Sequence, residues 1–455
     1  MLDKSAKKCC RALIIRHFYG GADMCIVSTD QVKDILLSSI SSLLDQRDLF
    51  LVNPSSDFTR TKKITFEQAM LFPLVAASGD ISSELLDYFG EDKLPSASSM
   101  IQRRNQIKPE AFIELFKRFS IKELLNKHFY GYQLVSCDGS RINLPYNSLD
   151  DYSFINCIKD RKGINQVHLN ALYDVLNDVF IDAEIQSVHT LNEKRAFCDL
   201  LDKYAGSDSK RIYIADRGYV SYNVLAHLIH NQQLFLIRMS DAFADGICAD
   251  DKWISNEYAD IEITINIGRR NSKFFRTLEN YHYVATNRTY DYIAPNSSDT
   301  DTLKLRILKF PISENSYEYI VTNLPKRTFS LKKIKELYHL RWNEETAFRF
   351  LKYAGNLVHI HSLKKMFLIQ EIYAKLTLYN FSSYVAATTE DIKKQTAKYT
   401  YVKNHTQVQK ICLKFLRGTI KDVKRIISKY LVPVRPGRSF ERKLRRQSAD
   451  TLAYR

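Results

Sequence analysis

Three acids and one distinctive run of spacings carry the chemistry of this 455-residue chain. Asp138 closes the apolar run YQLVSC, Asp216 closes IYIA, and Glu345 lies within YHLRWNEETAFRFLK. An acid at the end of an apolar strand projects into the crevice at the sheet edge, where α/β folds place their ligands. The same residue type also simply forms turns. In the third segment Tyr338, Arg341, Glu345 and Lys352 follow one another at spacings of 3, 4 and 7. On a helix, at about 100° per residue, these four fall within an arc of about 60° along about 21 Å. An aromatic, a guanidinium, a carboxylate and an ammonium thus stand where a core helix would show an apolar stripe.

Three carboxylates can hold two divalent cations about 3.5–4 Å apart, the arrangement that stabilises the attacking and leaving oxygens of in-line phosphoryl transfer. Magnesium takes oxygen ligands and keeps several waters, so no His or Cys is required. Arg341 can fork a phosphate and Lys352 can meet another as a point charge. The plainer alternative is a salt-bridged solvent face, with Arg341 and Glu345 as an i,i+4 pair contributing about 0.3–0.5 kcal/mol. Glu344 points about 100° away from its neighbour and reads as a surface acid. His168, in QVHLNALY, reads as a core histidine, and Arg217, beside Asp216, as a phosphate or neighbour contact.

The elements that must position these residues change along the chain. Residues 1–125 read as a helical N-terminal DNA-binding domain, with apolar residues at three- and four-residue spacing in TDQVKDILLSSISSLL and KPEAFIELFKRF. Within it, SSELLDYFGEDKLPSASSMIQRRNQI reads as helix, turn and a second helix opened by Ser96 or Ser98. Arg103 and Arg104 lie near that second helix's end, in the manner of a helix-turn-helix DNA reader, with a plain helical bundle as the alternative. Residues 126–240 alternate strands and helices. Residues 241–330 read as a β-rich insertion, with Ile261, Ile263, Ile265 and Ile267 at period two. Helices resume over 331–390, where Met366–Thr389 is apolar but broken by Gln370, Glu371 and Lys375, so it reads as a buried helix and not a membrane span.

The ordered strand acid, strand acid and helix acid, with Tyr-x2-Arg-x3-Glu-x6-Lys around the last, resembles the DDE transposases of the insertion sequence 4 family. DGS around Asp138 and DRGY around Asp216 are similar to that family's blocks, and the resemblance spans about residues 55 to 440. It implies an α/β fold: an RNase H-like catalytic core, a mixed sheet flanked by helices, interrupted by the β-rich insertion, with an all-α N-terminal domain and a basic helical C-terminal region. The 128 residues between Asp216 and Glu345 leave room for the interruption.

By the same resemblance Asp138, Asp216 and Glu345 are the catalytic metal ligands for two Mg²⁺ ions, with Mn²⁺ able to substitute. Tyr338, Arg341 and Lys352 then hold the DNA strand near the cut. Tyr317, with Tyr319 and Trp253 as alternatives, could stack on a flipped base, while packing within their strand is the plainer role for the two tyrosines; Trp342 more naturally packs inward. The implied function is a DNA transposase that binds its element's terminal inverted repeats and joins their ends to target DNA, as a homodimer on DNA. An RNase H-like nuclease without strand transfer, or a non-catalytic DNA-binding derivative, are the other classes.

Composition agrees with a polyanionic partner. Lys+Arg 67 against Asp+Glu 51 gives a net charge of +16. From Asp391 to the end, 18 Lys/Arg face 4 Asp/Glu, and apolar residues interleave as in a packed helical segment with a basic exterior, so 391–455 reads as a basic region for DNA or dimer contacts. Gly 14 and Pro 10 exclude collagen-like and Pro/Gly-rich disordered classes. Eight cysteines without a zinc spacing read as reduced thiols. With no signal peptide or apolar span recognisable, a cytoplasmic, nucleoid-associated protein without a membrane partner is expected.

Overall fold

The computed structural model describes residues 27–434, except 61–62, 78, 122–123, 157–162, 208–209, 249–255, 314–315, 359 and 390–399. Trp253, Cys9, Cys10, Cys25, Cys157 and the basic stretch after 434 lie outside the described residues.

Ten strands form one mixed sheet in the order β2-β3-β1-β5-β6-β10-β9-β7-β8, with β4 paired to β3. They are β1 (Gln133–Leu144), β2 (Phe154–Ile155), β3 (Ile164–Asp174), β4 (Val179–Ser187), β5 (Arg211–Ala215), β6 (Leu234–Met239), β7 (Ala259–Gly268), β8 (Tyr281–Tyr283), β9 (Thr300–Ser313) and β10 (Ser316–Thr322). The hairpin β3–β4 turns at Asp178, which takes a positive φ of 63°, where a short polar side chain tolerates the left-handed region. β1, β5 and β6 run parallel, and β10 returns antiparallel on β6.

The segment 241–330 is therefore no separate β unit. β10, β9 and β7 continue the central sheet outward from β6. The alternation in DIEITINIG marks one buried face of that extension, where Ile265 and Ile267 are fully buried. A period-two pattern reports a half-buried strand and says nothing about which sheet the strand joins.

Alternate residues of the central strands feed two apolar cores, one on each face of the sheet. Val135, Tyr213, Phe235 and Ile237 meet α6 (Glu193–Asp202) and α7 (Tyr222–His230). Leu134, Ile212, Ile214 and Leu236 belong to the other core. That core is shared with the N-terminal helices α1 (Thr29–Leu44), α2 (Phe66–Val75), α3 (Ile81–Phe89), α4 (Ala97–Asn105) and α5 (Pro109–Arg118). α8 (Leu331–Leu340), α9 (Trp342–Tyr353), α10 (Lys365–Ala387) and α11 (His405–Leu416) pack into it as well.

The 23-residue α10 is the axis of this half of the molecule and is buried on all sides. Its charges are matched from within the chain. Arg104 Nε donates to Gln370 Oε1 at 3.1 Å, and Arg104 Nη1 pairs with Glu371 Oε1 at 3.3 Å. Lys375 Nζ donates to the Ala76 carbonyl. The N-terminal helices are thus joined to the sheet and to α10 by one continuous core and by buried polar contacts. Among the described residues no helix is long and apolar enough to cross a membrane.

Candidate active site

β1 and β5 run side by side only as far as Cys137 opposite Ala215. Asp138 and Asp216 are the next residue on each strand, so both acids stand where the parallel pairing stops. Asp216 follows its strand, as the sequence suggested. Asp138 does not end its own: β1 continues to Leu144 against β3. An apolar run marks the buried part of a strand, and Ser140–Asn143 continue it into more exposed territory.

The signature segment crosses this edge as two helices. α8 ends at Leu340 and α9 begins at Trp342, with Arg341 between them in right-handed helical geometry. Arg341 N–H donates to the Tyr338 carbonyl and Glu344 N–H to the Arg341 carbonyl, both three residues back. This tightened turn shifts the phase of the helix face, so the single continuous arc expected from spacing is not what forms.

The outcome is an inward-facing cluster. Tyr338 is buried, and its hydroxyl donates to Asp216 Oδ1 at 3.1 Å. The Arg341 guanidinium, 2% exposed, places Nη2 3.9 Å from Asp216 Oδ2 and 3.6 Å from Glu345 Oε1. Arg341 is therefore no solvent-facing cation. It sits among the acids, its guanidinium carbon 4.9 Å from the Trp342 ring centre, and its buried Nε has no hydrogen-bond partner. Lys352, half-buried on α9, lies within electrostatic reach of Asp138.

The charges respond to one another. Burial pushes Asp138 up to about 6, with the Glu345 and Asp216 charges adding to the rise; the Gly139 N–H and Arg341 oppose it. Burial acts the same way on Asp216. There the Arg217 N–H, Arg341, the Tyr338 hydroxyl and Arg238 together outweigh it and hold the carboxyl below its ordinary value. Arg238, 4.0 Å from Asp216 and 3.4 Å from Glu318, was missed in the sequence reading. Its signal was there: a lone cation in the apolar strand LFLIRM.

Glu344 corrects the sequence reading most sharply. It is completely buried, and burial drives its carboxyl well above the ordinary value, with the Asp138 charge second and hydrogen bonds from the Ser136 hydroxyl and the Asp138 N–H opposing the rise. The expected surface acid lies against β1 beside Ser136 and Asp138. On the opposite side of the strand Gly139 is required, because a Cβ there would collide with His168. His168 itself is buried and pairs with Glu193 at 3.0 Å, a core position as expected.

Arg103 and Arg104 are placed elsewhere. Ser96 does cap α4, as expected. Both arginines then turn inward: Arg103 lies over Phe58 at 4.4 Å and donates to Gln106, and Arg104 is held by Gln370 and Glu371. A helix end rich in arginine was taken for a DNA-facing surface, whereas these two bind the chain to itself. Tyr317 is half-buried on β10, 6.5 Å from Tyr319 by ring centres and beneath Lys309 at 4.7 Å. The four described cysteines, Cys137, Cys198, Cys248 and Cys412, are buried.

Asp138, Asp216 and Glu345 offer oxygen donors alone, the set that suits a hard divalent cation. Among the described residues no group of three acid, His or Cys side chains is arranged to hold a metal ion as it stands, and Arg341 lies between the acids.

No curated protein matches this chain. Among solved structures it is similar to the piggyBac transposase synaptic complex with hairpin DNA, at 9% identity and a TM-score of 0.43, over 92% of this chain and 89% of that one. That likeness is too distant to add to the assignment. The family model "Transposase DDE domain" matches residues 130–381, which is more than half of the chain and holds Asp138, Asp216 and Glu345. The chain accordingly belongs to the transposase DDE domain family.

Proposed function

We propose that this protein is a divalent-metal-dependent DNA transposase of the insertion sequence 4 kind, built on an RNase H-like core, that cleaves the terminal inverted repeats of its element and joins them to target DNA. The observation that carries the reading is the gathering of Asp138, Asp216 and Glu345 around the buried Arg341 at the edge where β1 and β5 part.

Asp138, Asp216 and Glu345 would hold two Mg²⁺ ions, or Mn²⁺ in their place. When bound, such ions activate the attacking oxygen and neutralise charge on the leaving one. The rest falls to the chain. Tyr338 fixes the Asp216 carboxylate through its hydroxyl. Arg341 screens Asp216 and Glu345 from each other and is placed to turn toward phosphate once the acids are otherwise neutralised. Lys352, half-buried beside Asp138, supplies a second cation for the strand. Positioning and charge stabilisation of this kind are most of what phosphoryl transfer asks of a protein. Tyr317 remains a candidate for stacking on an unpaired base, and the net charge of +16 favours DNA as partner.

The test is a reaction on DNA carrying the element's own ends with Mg²⁺, comparing wild type with Glu345→Gln. Cleavage and joined products from wild type only, with both proteins still binding the ends, are expected. Equal cleavage by both would remove Glu345 from the mechanism. Cleavage without joined products would make the protein a nuclease.

A further inference from the structure

The face of the sheet that packs on α6 changes character at the height of the acids. On β1 that face carries Val135, Cys137, Gly139 and Arg141, and on β3 it carries Leu172, Asn170 and His168. Val135, Cys137 and Leu172 belong to the apolar core. The positions that follow on β3 are polar, yet His168 is 3% exposed and Asn170 is fully buried. Contact with water does not explain them.

Their polar atoms converge on Gly139. A Cβ on that residue would stand 2.2 Å from His168 Nε2 and 3.1 Å from both Asn170 Oδ1 and Glu193 Oε1. All three side chains are anchored. His168 Nε2 lies 3.0 Å from Glu193 Oε1. Their hydrogen bond, with the Arg141 charge adding to it, holds the Glu193 carboxyl below its ordinary value against burial. A carboxylate only accepts, so this histidine nitrogen is the donor. Asn170 Nδ2 donates to Gln186 Oε1 at 3.2 Å. Gln186 in turn bonds both the N–H and the carbonyl of Asn192, the residue that caps α6. The start of α6 is thus tied to β3 twice, and both ties bear on one glycine.

That glycine governs Asp138. Pairing of β1 with β5 has stopped by this point, and the register against β3 alone carries the strand on. The Gly139 N–H donates to Asp138 Oδ1 at 2.8 Å, so the orientation of this peptide sets that of the carboxylate. We propose that Glu193 and His168 are positioning residues of the active site: braced by the start of α6, they press on Gly139 and so fix the Asp138 carboxylate for a divalent cation. This role rests on the catalytic reading of Asp138, and it brings in two residues outside the three acids and the helix signature.

The experiment compares full-chain wild type, Asp138→Asn, Glu193→Ala and Glu193→Gln. Mn²⁺ affinity is measured by calorimetry without DNA, folding by urea unfolding, and binding and cleavage on DNA carrying the element's ends. Partners that hold a metal ligand in place typically contribute about 10–100-fold to metal affinity or activity. Glu193→Ala should therefore lose about tenfold or more in Mn²⁺ affinity and in cleavage rate, while it binds DNA ends and unfolds in urea as wild type does. Glu193→Gln keeps an acceptor for His168 and should recover most of the loss. Glu193 is 39% exposed, so neither replacement opens the core. If Glu193→Ala matches wild type while Asp138→Asn loses Mn²⁺ and cleavage, the positioning role alone is overturned. Equal losses in Glu193→Ala and Glu193→Gln would also overturn it, because the charge and not the contact would then be at work. If Asp138→Asn itself behaves as wild type, the catalytic reading falls and the role of Glu193 falls with it.

Discussion

Replacing Arg341 with glutamine should destabilise the protein when no divalent cation is present, and a divalent cation should restore most of the loss. The reasoning starts from two distances, 3.6 Å to Glu345 and 3.9 Å to Asp216, around a guanidinium that is 2% exposed. At an effective dielectric constant of about 20, each separation corresponds to about 4 kcal/mol of attraction. Both carboxylates are about one-third exposed, so water screens part of this, and desolvating the guanidinium costs part of the remainder. About 2–4 kcal/mol in total is a fair expectation for Arg341→Gln, which leaves Asp138, Asp216 and Glu345 with Arg238 and Lys352 as the nearby cations.

The assay is urea unfolding at pH 7.5 with and without Mn²⁺, which reads stability and needs no DNA. Ligand binding to the folded state alone stabilises by an amount that grows with the logarithm of its concentration. Freed of the competing guanidinium, the variant should gain more from Mn²⁺ than wild type does. Two results would refute the reasoning: a variant as stable as wild type without cation, or an equal gain from Mn²⁺ in both proteins. The first would mean that the guanidinium contributes nothing net at this position, the second that it does not compete with a cation for the acids.

Other perturbations test other parts of the structure. Glu344→Leu removes a fully buried carboxyl whose desolvation outweighs its contacts with Ser136 and the Asp138 N–H, so it should raise stability by about 1–3 kcal/mol at neutral pH. Because that carboxyl is held above its ordinary value, the folded state keeps a proton that the unfolded chain releases. The advantage of the variant should therefore grow as the pH rises above about 4.5, and pH-independent curves would contradict it. Lys375 behaves oppositely: burial lowers it to about 8 despite Glu371 and Glu84, so between about pH 8 and 10.5 the unfolded chain binds more protons and stability rises with pH, by up to about 3 kcal/mol. Lys375→Met should flatten that rise in denaturant titrations at pH 7, 9 and 10. Arg104→Met takes the counter-charge from the buried Glu371 and the donor from Gln370 Oε1 and should cost about 3–5 kcal/mol of stability, while the salt dependence of DNA binding stays as in wild type. A smaller salt slope would instead return Arg104 to the DNA surface.

What the sequence shows of this site, and what it hides, follows from the reach of each signal. Asp138 and Asp216 were legible because each follows a recognisable apolar run, although only Asp216 ends its strand, and the register that sets them side by side is a consequence of parallel pairing. Tyr338, Arg341, Glu345 and Lys352 were legible as a spacing, but spacing assumes an unbroken helix. The tightened turn at Arg341 changes which residues face inward, and no residue type announces it. Glu344 could not be found from the sequence for the same reason, since one residue's shift in phase separates a solvated acid from one packed under Asp138. Arg103 and Arg104 mislead in the other direction. Their partners, Phe58, Gln370 and Glu371, lie up to 267 positions away, and only the buried polar residues of α10 hinted that some distant cation must answer them. Gln370, Glu371 and Lys375 stood in the sequence as interruptions of an apolar run. A buried charge requires a partner, so such interruptions are better read as addresses for unpaired charges elsewhere in the chain than as exposed positions. By that rule Arg104 should have been assigned to α10 before it was assigned to DNA.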